Sequence, residues 1–149
     1  VGIVVDPVEF ANFAQYFTTG LGSPETMSAQ GIGLASTGWG PDYSSALSFW
    51  APLIDGRKIK PSSNQNFAEL DLDEINALLD SLEAAQTSAE AAGLNRKIEE
   101  LVMQEAVYLP YAVDRIVLYR PKALTDIYVQ IALGNQYDLV NIGKQEIPQ

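Results

Sequence analysis

Apolar residues recur at helical spacing in four stretches of this chain. Leu72, Ile75, Leu78, Leu79 and Leu82 fall on one stripe and predict a helix over 71–86, with Asp71 or Asp73 as its cap. Leu94, Ile98, Leu101 and Val102 predict a second over 88–106, with Gly93 as a place to bend and Leu109-Pro110 as its stop. Phe10, Phe13, Ala14 and Phe17 predict an amphipathic helix over 8–17. Leu47, Phe49, Trp50 and Leu53 predict a short helix over 44–53.

β-Branched and aliphatic runs read as strands at 2–5, 31–36, 116–119, 127–133 and 137–142. The stretch 18–30 holds Gly20, Gly22, Ser23 and Pro24 and reads as a loop. So does 54–66, with a turn at Asp55-Gly56 and irregular chain at Pro61-Ser62-Ser63-Asn64. The opening strand–helix–strand order predicts a crossover unit with parallel strands, and the whole predicts an α/β fold. In such sheets ligands bind beyond the carboxyl ends of the strands. Trp39 and Asp42 follow directly on the end of the expected strand at 31–36.

A chain of 149 residues with 47% hydrophobic composition suits one globular domain, and no apolar run nears the roughly 18 residues that cross a bilayer. The start, Val1-Gly2-Ile3-Val4-Val5, has no methionine and no basic segment. It reads as a strand entered from upstream, so a fragment is expected, with any signal peptide outside it. Nine basic against 19 acidic residues give a net charge of −10, which argues against nucleic acid and anionic membrane surfaces as partners. Solubility is the simpler meaning of that charge, and a mild preference for cationic ligands is its functional corollary. The chain has no cysteine and no histidine. That excludes disulfides, zinc-finger sites and Ser-His or Cys-His catalysis within it, and leaves the compartment open.

The densest chemistry lies in Ser36-Thr37-Gly38-Trp39-Gly40-Pro41-Asp42-Tyr43. A carboxylate beside an indole in a Gly/Pro loop can receive an amine, through charge-assisted hydrogen bonds and attraction to the ring face. A structural alternative stands beside this one: Trp39 fills a core and Asp42 caps a helix starting near Ser44. The acidic run Glu69, Asp71, Asp73 and Glu74 reads as the first turn of a helix, where the macrodipole favours it, rather than as a metal site. Asp80/Glu83 and Glu99/Glu100 read as the wet face of amphipathic helices rather than as paired glycosidase acids. Gly31-Ile32-Gly33 lacks the third glycine of a dinucleotide fingerprint.

Several of these pieces together resemble one family. They are Gly38-Trp39-Gly40-Pro41-Asp42-Tyr43, Phe49/Trp50/Leu53, Asp55-Gly56, Asn64-x-Asn66-Phe67, the helix pair, Val107-Tyr108-Leu109-Pro110 and Tyr137-Asp138-Leu139. The ensemble is similar to the C-terminal part of the extracellular solute-binding proteins of family 5. These are the oligopeptide, dipeptide and nickel binding proteins of ABC importers. The resemblance implies part of the C-terminal lobe of a two-lobed, type II periplasmic-binding-protein-like fold, with the N-terminal lobe absent from this chain.

The resemblance also implies a role for the loop. In peptide-binding members, the Asp at the position of Asp42 pairs the free α-amino group, and the Trp at the position of Trp39 lines a side-chain pocket. Gly38, Trp39, Gly40, Asp42, Tyr43 and Asn66 are the expected ligand-binding residues; no catalytic residue, metal or cofactor is expected. Oligopeptide-binding members often carry a disulfide-bonded Cys after the Trp, where this chain has Gly40. The implied function is capture of a peptide or other small solute outside the cytoplasm, by a lipid-anchored or periplasmic protein. Delivery to ABC permease subunits would follow. Two alternatives remain. An oligosaccharide could stack on Trp39 and Tyr43, or a carboxylate-based hydrolase could pair Asp42 with a second acid. A lobe fragment of this kind is expected to self-associate, as a symmetric dimer through its exposed strands near 3–5 and 127–133.

Overall fold

The computed structural model describes residue 2, residues 4–130 and residues 136–146. Its helices are α1 (Phe13–Gln15), α2 (Pro24–Gln30), α3 (Leu47–Ile54), α4 (Asp73–Ala84) and α5 (Ser88–Glu105). A wide π-type turn over Tyr16–Gly20 continues α1. Short strands follow: β1 (Leu124–Thr125), β2 (Val129–Gln130), β3 (Gln136–Tyr137) and β4 (Gly143–Lys144).

The core sits where the two long stripes meet. Ile75, Leu79 and Leu82 of α4 pack with Ile98 and Val102 of α5, and Ile54 and Leu70 complete the cluster. Leu72, Leu78, Leu94 and Leu101, the other members of the two expected stripes, close around it. Each such fully buried aliphatic side chain is worth about 1.5–3 kcal/mol. The connection 85–87 is short, so α4 and α5 form a helical hairpin. Thr87 caps α5 by accepting from the Glu90 amide, and the Glu90 carboxylate accepts in turn from the Gln86 amide. Gly93 does not interrupt α5.

α3 docks on this hairpin through two polar fasteners. The Trp50 indole donates to Asn95 Oδ1 of α5 at 2.9 Å. The Tyr108 hydroxyl donates to the Leu53 carbonyl at 2.9 Å, supplying one of the acceptors that a helix end leaves unpaired. Burial pushes the Tyr108 hydroxyl up to about 12.

Beyond α3, Asp55 is buried and holds the turn Gly56–Lys58. The Arg57 guanidinium reaches Asp55 at 2.9 Å and Asp80 of α4 at 2.9 Å, which locks the turn against the hairpin. Gly56 is required here, because a Cβ would lie 1.9 Å from Asp71 Oδ1. Asp71 accepts from Asn76 Nδ2 and does not cap α4, and neither does Asp73. Leu72 holds the cap position without a side-chain bond, and Asp73 and Glu74 fill the first turn as the macrodipole favours.

Several sequence expectations are corrected. The expected helix over 8–17 shrinks to α1 and the turn that follows it. The expected loop at 18–30 contains α2, with Ser23 as N-cap, Pro24 in the first turn and Gly31 in the left-handed region as C-cap. α5 ends at Glu105 with Ala106 at φ 53°, ahead of Leu109-Pro110. No strand forms at 31–36 or 116–119, nor at Gly2, Val4 and Val5; Val1 and Ile3 lie outside the described residues. The expected strand at 127–133 is represented by β2, with 131–133 outside the described residues, and that at 137–142 by β3. Pairing among the described residues is antiparallel, β1 with β4 and β2 with β3, rather than a parallel crossover. Strands need partners, and the extended runs near the N-terminus find none here.

Candidate functional site

The chain leaves α2 at Gly31 and runs without helix or strand to Ser36. Two tyrosines meet it there. The Tyr16 hydroxyl donates to the Ser36 carbonyl, and the Tyr111 hydroxyl shares a 2.9 Å hydrogen bond with Ser36 Oγ. Burial pushes the Tyr16 hydroxyl up; the Thr37 side chain opposes that shift and Tyr111 adds to it. Tyr16, Thr37 and Tyr111 are thus close neighbours.

Trp39 comes next and is half-buried. Its indole N–H donates to the Ser48 carbonyl at 2.9 Å. The reason lies in α3. Ser48 would ordinarily accept from the amide of the residue four further on, which is Pro52 and has no N–H. Trp39 fills that vacancy, which leaves its position neither core nor free surface.

Asp42 and Tyr43 lie on the bend before α3 and are exposed. Asp42 does not cap α3: the cap position is Ala46, and the Leu47 amide is met by Ser45 Oγ at 3.2 Å. Among the described residues no hydrogen bond or ion pair engages the Asp42 carboxylate. Gly38 and Gly40 flank Trp39 with open space where a Cβ would stand. The loop thus presents a free carboxylate, a half-exposed phenol ring and an anchored indole within a short span of chain.

Asn66 departs from its expected role. It is fully buried, its Nδ2 donates to the Leu70 carbonyl at 2.8 Å and its Oδ1 accepts from the Leu70 amide at 3.0 Å. Asn64, also buried, donates to the Asn66 carbonyl at 2.7 Å. The Asn64-x-Asn66-Phe67 motif therefore stitches an irregular loop together, with both side-chain polar atoms of Asn66 paired within the loop and Asn64 Oδ1 buried without a hydrogen-bond partner among the described residues. Phe67 packs against Phe17 with ring centroids 5.7 Å apart, joining that loop to the turn carrying Tyr16.

Two surface depressions among the described residues are lined by none of the expected ligand residues. One, of about 500 Å³, lies among Tyr128, Val129, Gln130, Asp138 and Asn141. Another, of about 130 Å³, lies among Pro52, Lys58, Lys60, Ser63 and Gln65. In the Trp39–Tyr43 loop Gly40, Asp42 and Tyr43 are exposed, and Trp39 and Pro41 are half-buried. No helix among the described residues is long and apolar enough to cross a membrane.

The helix hairpin, the buried Asn loop and the tethered Trp-x-x-Asp-Tyr loop form an α/β piece of a periplasmic-binding-protein-like fold. The solved structure that shows this is the clavulanic acid biosynthesis oligopeptide binding protein 2, at 40% sequence identity and a TM-score of 0.87. The match covers 94% of this chain and 25% of that one, so the chain spans about a quarter of the length of the protein it matches. No family model matches the chain, and no curated protein matches it.

Proposed function

We propose that this chain forms one wall of a peptide-binding site in a two-lobed solute-binding protein of family 5, as part of its C-terminal lobe. The observation that carries this is the free Asp42 carboxylate beside an indole fixed by Ser48, on a fold shared with an oligopeptide-binding protein. Asp42 receives the α-amino group of the peptide. Trp39 and Tyr43 line the neighbouring space, and Gly38 and Gly40 leave room for close approach. Asn66 serves the loop behind and takes no part in contact. The second lobe supplies the facing wall and closes over the ligand.

The role is capture rather than catalysis. In an importer, the loaded protein hands its peptide to ABC permease subunits at the outer face of the membrane, where a lipid anchor or the periplasm retains it. The test is calorimetry on the full native polypeptide that carries these residues, with free-amine peptides, their N-acetylated forms and oligosaccharides. Preference for the free amine is the expected result. Equal binding of acetylated peptides, or binding of sugars alone, rejects it.

A further inference from the structure

The run 32–38 forms no helix or strand and makes no ladder hydrogen bonds among the described residues, and Leu34 within it is 89% exposed. Such a segment has nothing of its own to fix where the loop after it points. Ser36 is nonetheless held from two sides, its carbonyl by Tyr16 and its hydroxyl by Tyr111. Tyr16 is itself braced. Its ring meets Phe10 edge-on at 5.8 Å and Phe17 at 5.0 Å, and Phe17 leans on buried Phe67. The loop is pinned a second time at Trp39, by Ser48. Asp42 hangs just beyond these two fixed points.

We propose that Tyr16 and Tyr111 are positioning residues that clamp Ser36 and so set the orientation of the loop bearing Trp39 and Asp42. They touch the ligand themselves at no point. The clamp joins the turn Tyr16–Gly20, the loop and the segment after α5, three regions far apart in sequence. The inference rests on the peptide-wall function proposed above for its consequence, and on geometry alone for its existence.

The test is the double variant Tyr16→Phe/Tyr111→Phe in the full native polypeptide, which removes two hydroxyls and keeps both rings. Chymotryptic cleavage after Trp39 and Tyr43, followed by mass spectrometry, reads the loop without any ligand. The expected result is cleavage there roughly five- to hundredfold faster, the factor equivalent to two ordinary hydrogen bonds, with other sites changed far less. Calorimetry should then show a reduced preference for a free-amine peptide over its N-acetylated form. Unchanged cleavage at Trp39 and Tyr43 overturns the clamp. Faster cleavage in a protein whose native form shows no free-amine preference upholds the clamp and removes the amine role of Asp42.

Discussion

Trp39 donates its indole N–H, at 2.9 Å, to the Ser48 carbonyl that Pro52 leaves without a helical partner. The two residues therefore form a compensating pair. Trp39→Phe keeps the ring and removes the donor, and should cost about 1–3 kcal/mol of stability, the range for leaving a buried acceptor unpaired, since Ser48 is 1% exposed. In a Pro52→Ala background the helix recovers its own N–H, and the same substitution should cost less. A double-mutant cycle by chemical denaturation reads the difference; equal costs in both backgrounds would show the pair to be uncoupled.

Asp42→Ala in the full native polypeptide should weaken binding of free-amine peptides by roughly 2–5 kcal/mol, the range for losing one partner of a buried charge pair. Stability should stay unchanged, since among the described residues the carboxylate supports no fold contact. An affinity loss below tenfold ends the amine-receptor role.

Acid should loosen the turn after α3. Burial raises the Asp55 carboxyl, but the hydrogen bonds and charge of Arg57, with Lys58 adding, outweigh it and hold the group below its ordinary value. A carboxyl lowered in the folded state adds stability above its unfolded value, and that stability is lost as pH falls through the folded value. Melting temperature should thus decline from about pH 5 downward, and Asp55→Asn should be less stable at pH 7 with a flatter acid limb. An acid limb as steep in Asp55→Asn as in the native chain would exclude Asp55 as its source.

The segment 107–120 forms no helix or strand, and Val113 (96% exposed) and Tyr119 (83% exposed) face solvent. Apolar chain in this state pairs with other chain. The 149-residue polypeptide should therefore self-associate in light scattering. A monomer at high concentration contradicts this expectation.

Helix positions were legible in the sequence where a stripe ran for several turns. α4 and α5 lie within two residues of their expected bounds at every end, because their burial is settled by a hairpin coded within their own length. α2 was hidden by its own punctuation. Ser23-Pro24-Glu25 and Gly31 are start and stop marks of a helix as much as of a loop. Strands were the weak point, since an extended apolar run becomes a strand only when a neighbour bonds it, and sequence does not name the neighbour. The site loop was legible in its chemistry and not in its supports. Asn66 could be read as a contact or as a stitch, and only its burial decides. The bond from Trp39 to Ser48 had one clue, a proline inside the predicted helix, which frees a carbonyl one turn back.

The chain has two tryptophans, and each indole has a different partner: Trp39 ties the loop to Ser48 of α3, and Trp50 of α3 bonds Asn95 on the helix hairpin. Their fluorescence can therefore be separated by location. With Trp50→Phe in place, Trp39 is this chain's single indole emitter and an optical gauge of the loop. With Trp39→Phe in place, Trp50 gauges the docking of α3 instead. One polypeptide thus carries built-in, interchangeable reporters for the loop and for the docking of α3, with no dye attached.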